Sequence, residues 1–231
     1  MTELHLADER EAADLAAFLS RLLHYDRGAA VRLQAAGTAL AVFGRPPSFE
    51  VLAIRAVRLA KPYEHGLDVT LDVTVSAGEL LESVDEKAAT AAVPAAVTGP
   101  PWAGVLPPRG GWQPEPGLPA TDALRAMVAA GVAEFRSRTA ELAPEARTRA
   151  ELDRIGREIW SRTVAATGLP VRAVHAAQSL GFLRPVPGAE APALLSSGPW
   201  LRLRTPYGSI AVRRSRPEGL GLLGVSVRST S

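Results

Sequence analysis

Four histidines, two aspartates four residues apart and one glycine-rich stretch are the residues here whose types invite a chemical reading. His5, His24, His65 and His175 fall in none of the HxH, HExxH or HxxEH spacings, so no metal site is expected. Asp68 and Asp72, on a strand, stand about 13 Å apart, too far to share a metal or a proton. A solvated strand face is their expected role. His24-Tyr25-Asp26 has no nucleophile beside it and closes a helix, where an imidazole meets the negative end of the helix dipole. Gly219-Leu220-Gly221-Leu222-Leu223-Gly224 matches GxGxxG. It lacks the preceding strand and following long helix that aim amides at a pyrophosphate, and reads as a glycine-punctuated terminal strand. There is no Gly-x-Ser-x-Gly elbow and no Walker loop. With no cysteine, thiol nucleophiles, disulfides and Cys-ligated metals are excluded. The expectation is a non-enzymatic binding or regulatory protein without cofactor, with an enzyme that leaves no local motif as an alternative.

Charge gives the hint about partners. Residues 1–120 carry 10 basic and 15 acidic side chains, net −5, whereas residues 121–231 carry 16 and 9, net +7. The stretch 163–231 sets eight arginines against Glu190 and Glu218. Such sorting can build one face that attracts polyanions. The cations are almost all arginine, with only Lys61 and Lys87 as lysines. A GC-rich genome explains that count but not its segregation. The composition resembles that of proteins from high-GC actinobacteria, which implies no activity. The first residues lack the basic and apolar regions of a signal peptide, and prolines break the longest uncharged run, so no membrane span and a cytoplasmic location are expected.

The elements that position these residues follow from periodicity. Asp8–Glu11 reads as a capping box before a helix over 9–24, with Leu15, Phe18, Leu19, Leu22 and Leu23 on one stripe. Ala29–Ala35, Thr38–Phe43, Phe49–Leu59 and Leu67–Val75 read as strands of an antiparallel meander. Ser76–Glu79 caps a short helix near 77–86. Residues 94–119 hold eight prolines and five glycines. Trp102 and Trp112 make that stretch an ordered, wrapping connector, because each ring gains by burial. Helices are expected over 121–142, from the Thr148–Glu151 capping box to Gly168, and over 170–180. A last strand is placed near 221–228. The fold class is α+β: a helix and four-stranded meander over 1–93, the connector, and a helical module with a β-hairpin over 120–231. A single fused domain is the alternative.

The hairpin candidate is 200–204 with 209–213. Pairing Arg204 with Ser209 sets Leu203 against Ile210 and Leu201 against Val212 on one face, and puts Arg202, Arg204 and Arg213 on the other. Within Trp160–Leu183, Val164, Gly168, Leu169 and Val174 stand where helix-turn-helix families place a small or apolar residue, a turn glycine, an apolar residue just after it and a branched apolar residue. Leu180-Gly181-Phe182-Leu183 looks like the exit of such a unit. This stretch resembles the winged-helix DNA-binding domains. The resemblance implies that Arg172, His175 and Gln178 face a major groove and that the hairpin is a wing whose Arg202, Arg204, Arg213 and Arg214 meet phosphates. The partners so implied are nucleic acid or, alternatively, an acidic protein surface, including that of a second copy in a homo-oligomer.

Overall fold

The computed structural model of the chain describes residues 2–60, 71–185, 188 and 190–214. In chain order these form β1 (Glu3–His5), α1 (Glu9–Tyr25), β2 (Ala30–Ala36), β3 (Ala39–Gly44), β4 (Leu52–Arg58), β5 (Asp72–Ser76), α2 (Ala77–Glu82), β6 (Val84–Asp85), β7 (Thr90–Ala92) and β8 (Gln113–Glu115). Then come α3 (Thr121–Ala140), α4 (Arg149–Trp160), α5 (Val171–Ser179), β9 (Ala193–Ser197), β10 (Trp200–Thr205) and β11 (Gly208–Arg213). The fold is α+β, as the periodicities predict. Capping oxygens start three of the helices: Glu11 N–H donates to Asp8 at 2.8 Å, and Glu79 N–H to Ser76 and Glu151 N–H to Thr148 at 3.3 Å each.

The strands over 30–76 form, but not as a meander. The eight-stranded sheet runs β5-β2-β3-β4-β11-β10-β9-β8. A meander sets β5 beside β4; here β5 returns to the outer edge of β2, in the order of a Greek key. The burial of each strand explains the choice. Leu52, Ala53 and Ile54 of β4 are buried in succession, as in a strand covered on both faces, whereas β5 is largely half-exposed. The edge of β4 is therefore taken by β11. At the far edge β8 carries Pro114, which an edge strand tolerates because its outer side needs no donor. A smaller sheet, β1-β7-β6, closes one end.

The late hairpin has the expected register, with Leu203 opposite Ile210, Leu201 opposite Val212 and Arg204 opposite Ser209. It does not project as a wing. Both its outer edges are paired, β11 with β4 and β10 with β9, so it forms the middle of the sheet. The helical stop also differs from expectation. Helix α4, expected to run to Gly168, ends at Trp160, and the left-handed residue beyond it is Ala165, with φ 47°, not Gly168. A tight loop follows, in which Val164 N–H donates to the Leu169 carbonyl at 2.8 Å. Gly181, with φ 77°, does end α5. Asp68, His65, the GxGxxG stretch and the strand expected near 221–228 lie outside the described residues.

One face of the sheet meets the helices. Phe18 and Leu22 of α1, Leu80 of α2 and Val174 of α5 share one core with Leu33, Val42, Leu203 and Ile210. The opposite face is partly covered by the connector, whose Trp102, Leu106 and Trp112 pack on Phe43, Leu52, Ile54, Trp200 and Ala211.

At the β4–β11 seam a buried ion cluster ties these layers together. The Arg55 side chain is only 6% exposed. It donates through Nη1 to the Tyr207 carbonyl at 2.7 Å, and through Nη2 to Glu11 at 3.0 Å and Asp14 at 3.4 Å. Glu11 also accepts from Arg58 at 2.9 Å. Asp14 also pairs with Arg184, whose guanidinium lies 3.5 Å above the Tyr207 ring. Removing one member of a buried ion cluster leaves charge uncompensated. Arg55→Ala is expected to lower the free energy of unfolding by about 3–5 kcal/mol in urea titrations. A loss below about 1 kcal/mol, the scale of an exposed pair, would show that the cluster does not hold the seam.

Candidate functional site

Helix α5 does not present a free reading face. Val171, Ala173, Val174, Ala176 and Ala177 are buried. His175 lies between the Trp160 ring, with centroids 4.3 Å apart, and the Phe49 ring at 5.0 Å. Arg172 is half-buried, its Nε 4.0 Å from Glu50. Gln178 alone of the three is exposed. The covering element is the 3₁₀ turn Pro47–Phe49, brought in from the first half of the chain.

Nor do the hairpin arginines join this helix. Val174 and Ala177 of α5 belong to the core that holds Leu201, Leu203, Ile210 and Val212. Side chains alternate along a strand, so Arg202, Arg204 and Arg213 lie on the opposite face of the sheet. A duplex seated on one side cannot take both sets.

The late arginines are instead engaged one by one. Arg204 pairs with Glu190 at 2.7 Å, Arg214 with Glu115, and Arg184 with Asp14. Arg213 lies over the Trp200 ring at 5.4 Å and Arg202 near the Trp112 ring at 5.7 Å. The carboxylates Asp14, Glu50 and Glu115 all come from the acidic half. Much of the charge sorting is thus met inside the molecule, basic segment against acidic segment.

Arg202 stands apart from this pattern. It is half-buried, and its Nε is enclosed without a hydrogen-bond partner, as are those of Arg55 and Arg172; unlike them, it has no carboxylate partner among the described residues. Burial, with a smaller contribution from Arg204, pushes its guanidinium below the usual arginine range. It lines a groove of ≈ 370 Å³ on the connector side of the sheet. The floor is small and apolar. Ala41 lies opposite Ala56 and Gln34 across β3, and Phe43 lies opposite Ile54. The wall is the connector turn Pro107, Pro108 and Arg109. The groove has no acidic lining residue. At its outer side Arg32 grips Asp72 at 2.7 Å and holds that carboxyl below the ordinary range, with Arg109 adding its charge.

Residues 1–104 match a family described as a domain of unknown function, DUF8010, and residues 107–217 match another so described, DUF8185. No curated protein matches the chain. The boundary between the two matches falls in the connector, beside the groove wall. The sheet crosses that boundary through β4 and β11, and the groove draws its floor from the first match and Arg202 from the second.

Among the described residues no group of three His, Cys, Asp or Glu converges as a metal site requires, and no helix is long and apolar enough to cross a membrane. Sequence reasoning singled out Arg202 but missed the groove and the Arg55 cluster. One local signal marks the groove floor. Ala39 and Ala41 alternate with the buried Leu40 and Val42, so the outward face of that strand carries only methyl groups up to Phe43.

The enclosure of His175 has a measurable consequence. Burial lowers its pKa from the ordinary 6.5. The unfolded chain therefore binds the extra proton more readily, and stability rises with pH through this window. The stabilisation is complete above the unfolded value and is lost as pH falls through it toward the lower folded value. Melting temperatures are expected to drop between about pH 7.5 and pH 5, and His175→Phe should flatten that drop. An unchanged slope in the variant would place the titration elsewhere.

Proposed function

We propose that this chain is a cytoplasmic, non-enzymatic binding protein. Its working surface is the connector-walled face of the sheet, and its partner brings a negative charge to Arg202. The observation that carries this reading is the state of Arg202. Withdrawing a guanidinium from water without an acid beside it costs free energy. A methionine would lie along Trp112 as well and cost nothing of the kind. A cation kept at a stability cost, in the lining of an open apolar groove, is what a binding site for an anion requires. The absence of acidic lining residues favours the same sign of partner.

The nucleic-acid reading has less support, because α5 and the hairpin arginines look away from one another and Arg204 and Arg214 already hold carboxylates. An acidic surface on another protein, or on a second copy, could also satisfy Arg202. The groove volume favours a smaller partner, since it lies near the lower end of the range of about 300–1,000 Å³ for small-molecule sites.

The test uses anilinonaphthalene sulfonate, an apolar ring system with one acid group. One saturable site is expected. Arg202→Met should weaken it by about tenfold or more while raising the unfolding free energy by about 1 kcal/mol. A variant that loses stability and binds the dye unchanged would make Arg202 a structural residue and end this reading. Displacement of the dye by duplex DNA, falling steeply with salt, would return the nucleic-acid reading in its place.

A further inference from the structure

The groove also says what kind of acid it takes. Its floor is flat because three neighbouring strands present methyl groups there: Ala36 on β2, Ala39 and Ala41 on β3, and Ala56 on β4. Ala36, Ala39 and Ala56 are exposed. Ile54 and Phe43 continue the apolar surface toward Arg202. Arg202 pairs across the ladder with Ala211, and Arg204 with Ser209, so small residues lie beneath the long arginine side chain. Nothing bulky on β11 separates its guanidinium from the apolar floor.

The polar groups are few and sit at the margins. Arg202 lies at one side of the floor, and Arg109 stands in the wall, where its charge acts on Asp72. Gln34 lies at the other side of the floor, where it already donates to Asp72 at 3.1 Å. A phosphate-cradling arrangement needs several backbone amides, as at a glycine-rich loop or a helix start. The lining supplies neither, since the floor amides lie in the β2–β3–β4 ladders and the connector wall is two prolines and an arginine. A nucleotide or sugar, with many hydroxyls, would bury them against methyl groups without partners.

The geometry points to a small amphipathic acid: a ligand with one carboxylate or comparable acid group on an apolar body. The apolar body would lie across the alanine floor beneath the Pro107–Pro108 wall, and the acid group would meet the Arg202 guanidinium. A guanidinium half out of water strengthens a charge-assisted bond to a carboxylate and leaves an uncharged analogue with nothing to offset the buried cation. This assignment rests on the sheet face being the binding surface, and it adds the size and polarity of the ligand.

The experiment titrates the whole protein with decanoate and with 1-decanol, following alanine methyl resonances by NMR. Three proteins are compared: the parent, Arg202→Met, and Ala56→Trp, which fills the floor from an exposed position and so spares the core. Saturable decanoate binding is expected to shift Ala39, Ala41 and Ala56, with decanol weaker by about tenfold or more in the parent. Arg202→Met should remove the preference for the acid, and Ala56→Trp should abolish binding of both.

Equal binding of acid and alcohol would overturn the acid assignment while leaving the face as a binding surface. Binding that survives Ala56→Trp would place the ligand elsewhere and overturn both. If neither compound shifts the floor methyls, the small-ligand assignment fails. In that case, loss of dye binding in Ala56→Trp would still keep the face as the binding surface for a larger acidic partner.

Discussion

The architecture depends on a guanidinium enclosed at a short seam. Strands β4 and β11 share only the pairs Ser209–Ile54, Ile210–Ala53 and Ala211–Leu52. So short a ladder is weak in specifying register. A slip of one residue would turn Ile210 away from the helices and bring Ala211 into their core. Arg55 removes that freedom. Its bond to the Tyr207 carbonyl fixes the hairpin turn against β4, while Glu11 and Asp14 fix α1 above both. A buried ion cluster adds little net stability over an apolar filling of the same shape, but it tolerates few alternative arrangements. Here it decides which strands meet. Gly208 serves the same seam from the other side: a Cβ there would lie 2.6 Å from the Phe182 ring, so the chain leaving α5 can close on the hairpin only over a glycine.

The charge segregation acquires a different meaning in this frame. An acidic half and a basic half in one chain suggest an external polyanion. The folded molecule first uses them on each other, through Arg184 with Asp14, Arg172 with Glu50 and Arg214 with Glu115. Each such pair, partly exposed, is worth little alone. Their common direction, second half to first, makes them a guide for docking rather than a source of stability. The helical hairpin of α3 and α4 is closed in the same way but locally. Arg138 and Arg162 bridge Glu134 and Glu158, and those carboxyls are held below their usual range by Arg162 and Arg138 respectively.

The parts of the fold legible in the sequence are those set by local periodicity. The stripe of Leu15, Phe18, Leu19 and Leu22, the capping residues Asp8, Ser76 and Thr148, and the matched apolar pairs of the late hairpin all act within one element or across one turn. What was not legible depends on which element meets which. The sequence holds no local mark that β4 will pair with a strand far along the chain. A hairpin with alternating arginines reads as a projecting wing unless its neighbours are known. The helix-turn-helix likeness failed to foresee the covering of α5 for the same reason. Val164, Leu169 and Val174 are buried as that pattern requires, but the pattern does not include Phe49, which closes over His175 from the other half. The groove was hidden because alanine is abundant throughout this chain, so a face of alanines carries no compositional signal.

Two arginines on opposite faces of the same sheet now bear comparison. Arg55 is enclosed with two carboxylates and a carbonyl. Arg202 is half-enclosed, over small side chains, with a tryptophan ring nearby and no acid among the described residues. If both served only the fold, the second would be an error that a single apolar substitution corrects, and its neighbours would be larger. Instead the floor before it is built from alanines, although each added methylene buried there would contribute about 0.8 kcal/mol. Open volume and an unpaired cation both lower stability, and they occur side by side. The proposed ligand accounts for their coincidence: its apolar body would cover the alanine floor and its acid group would meet the guanidinium.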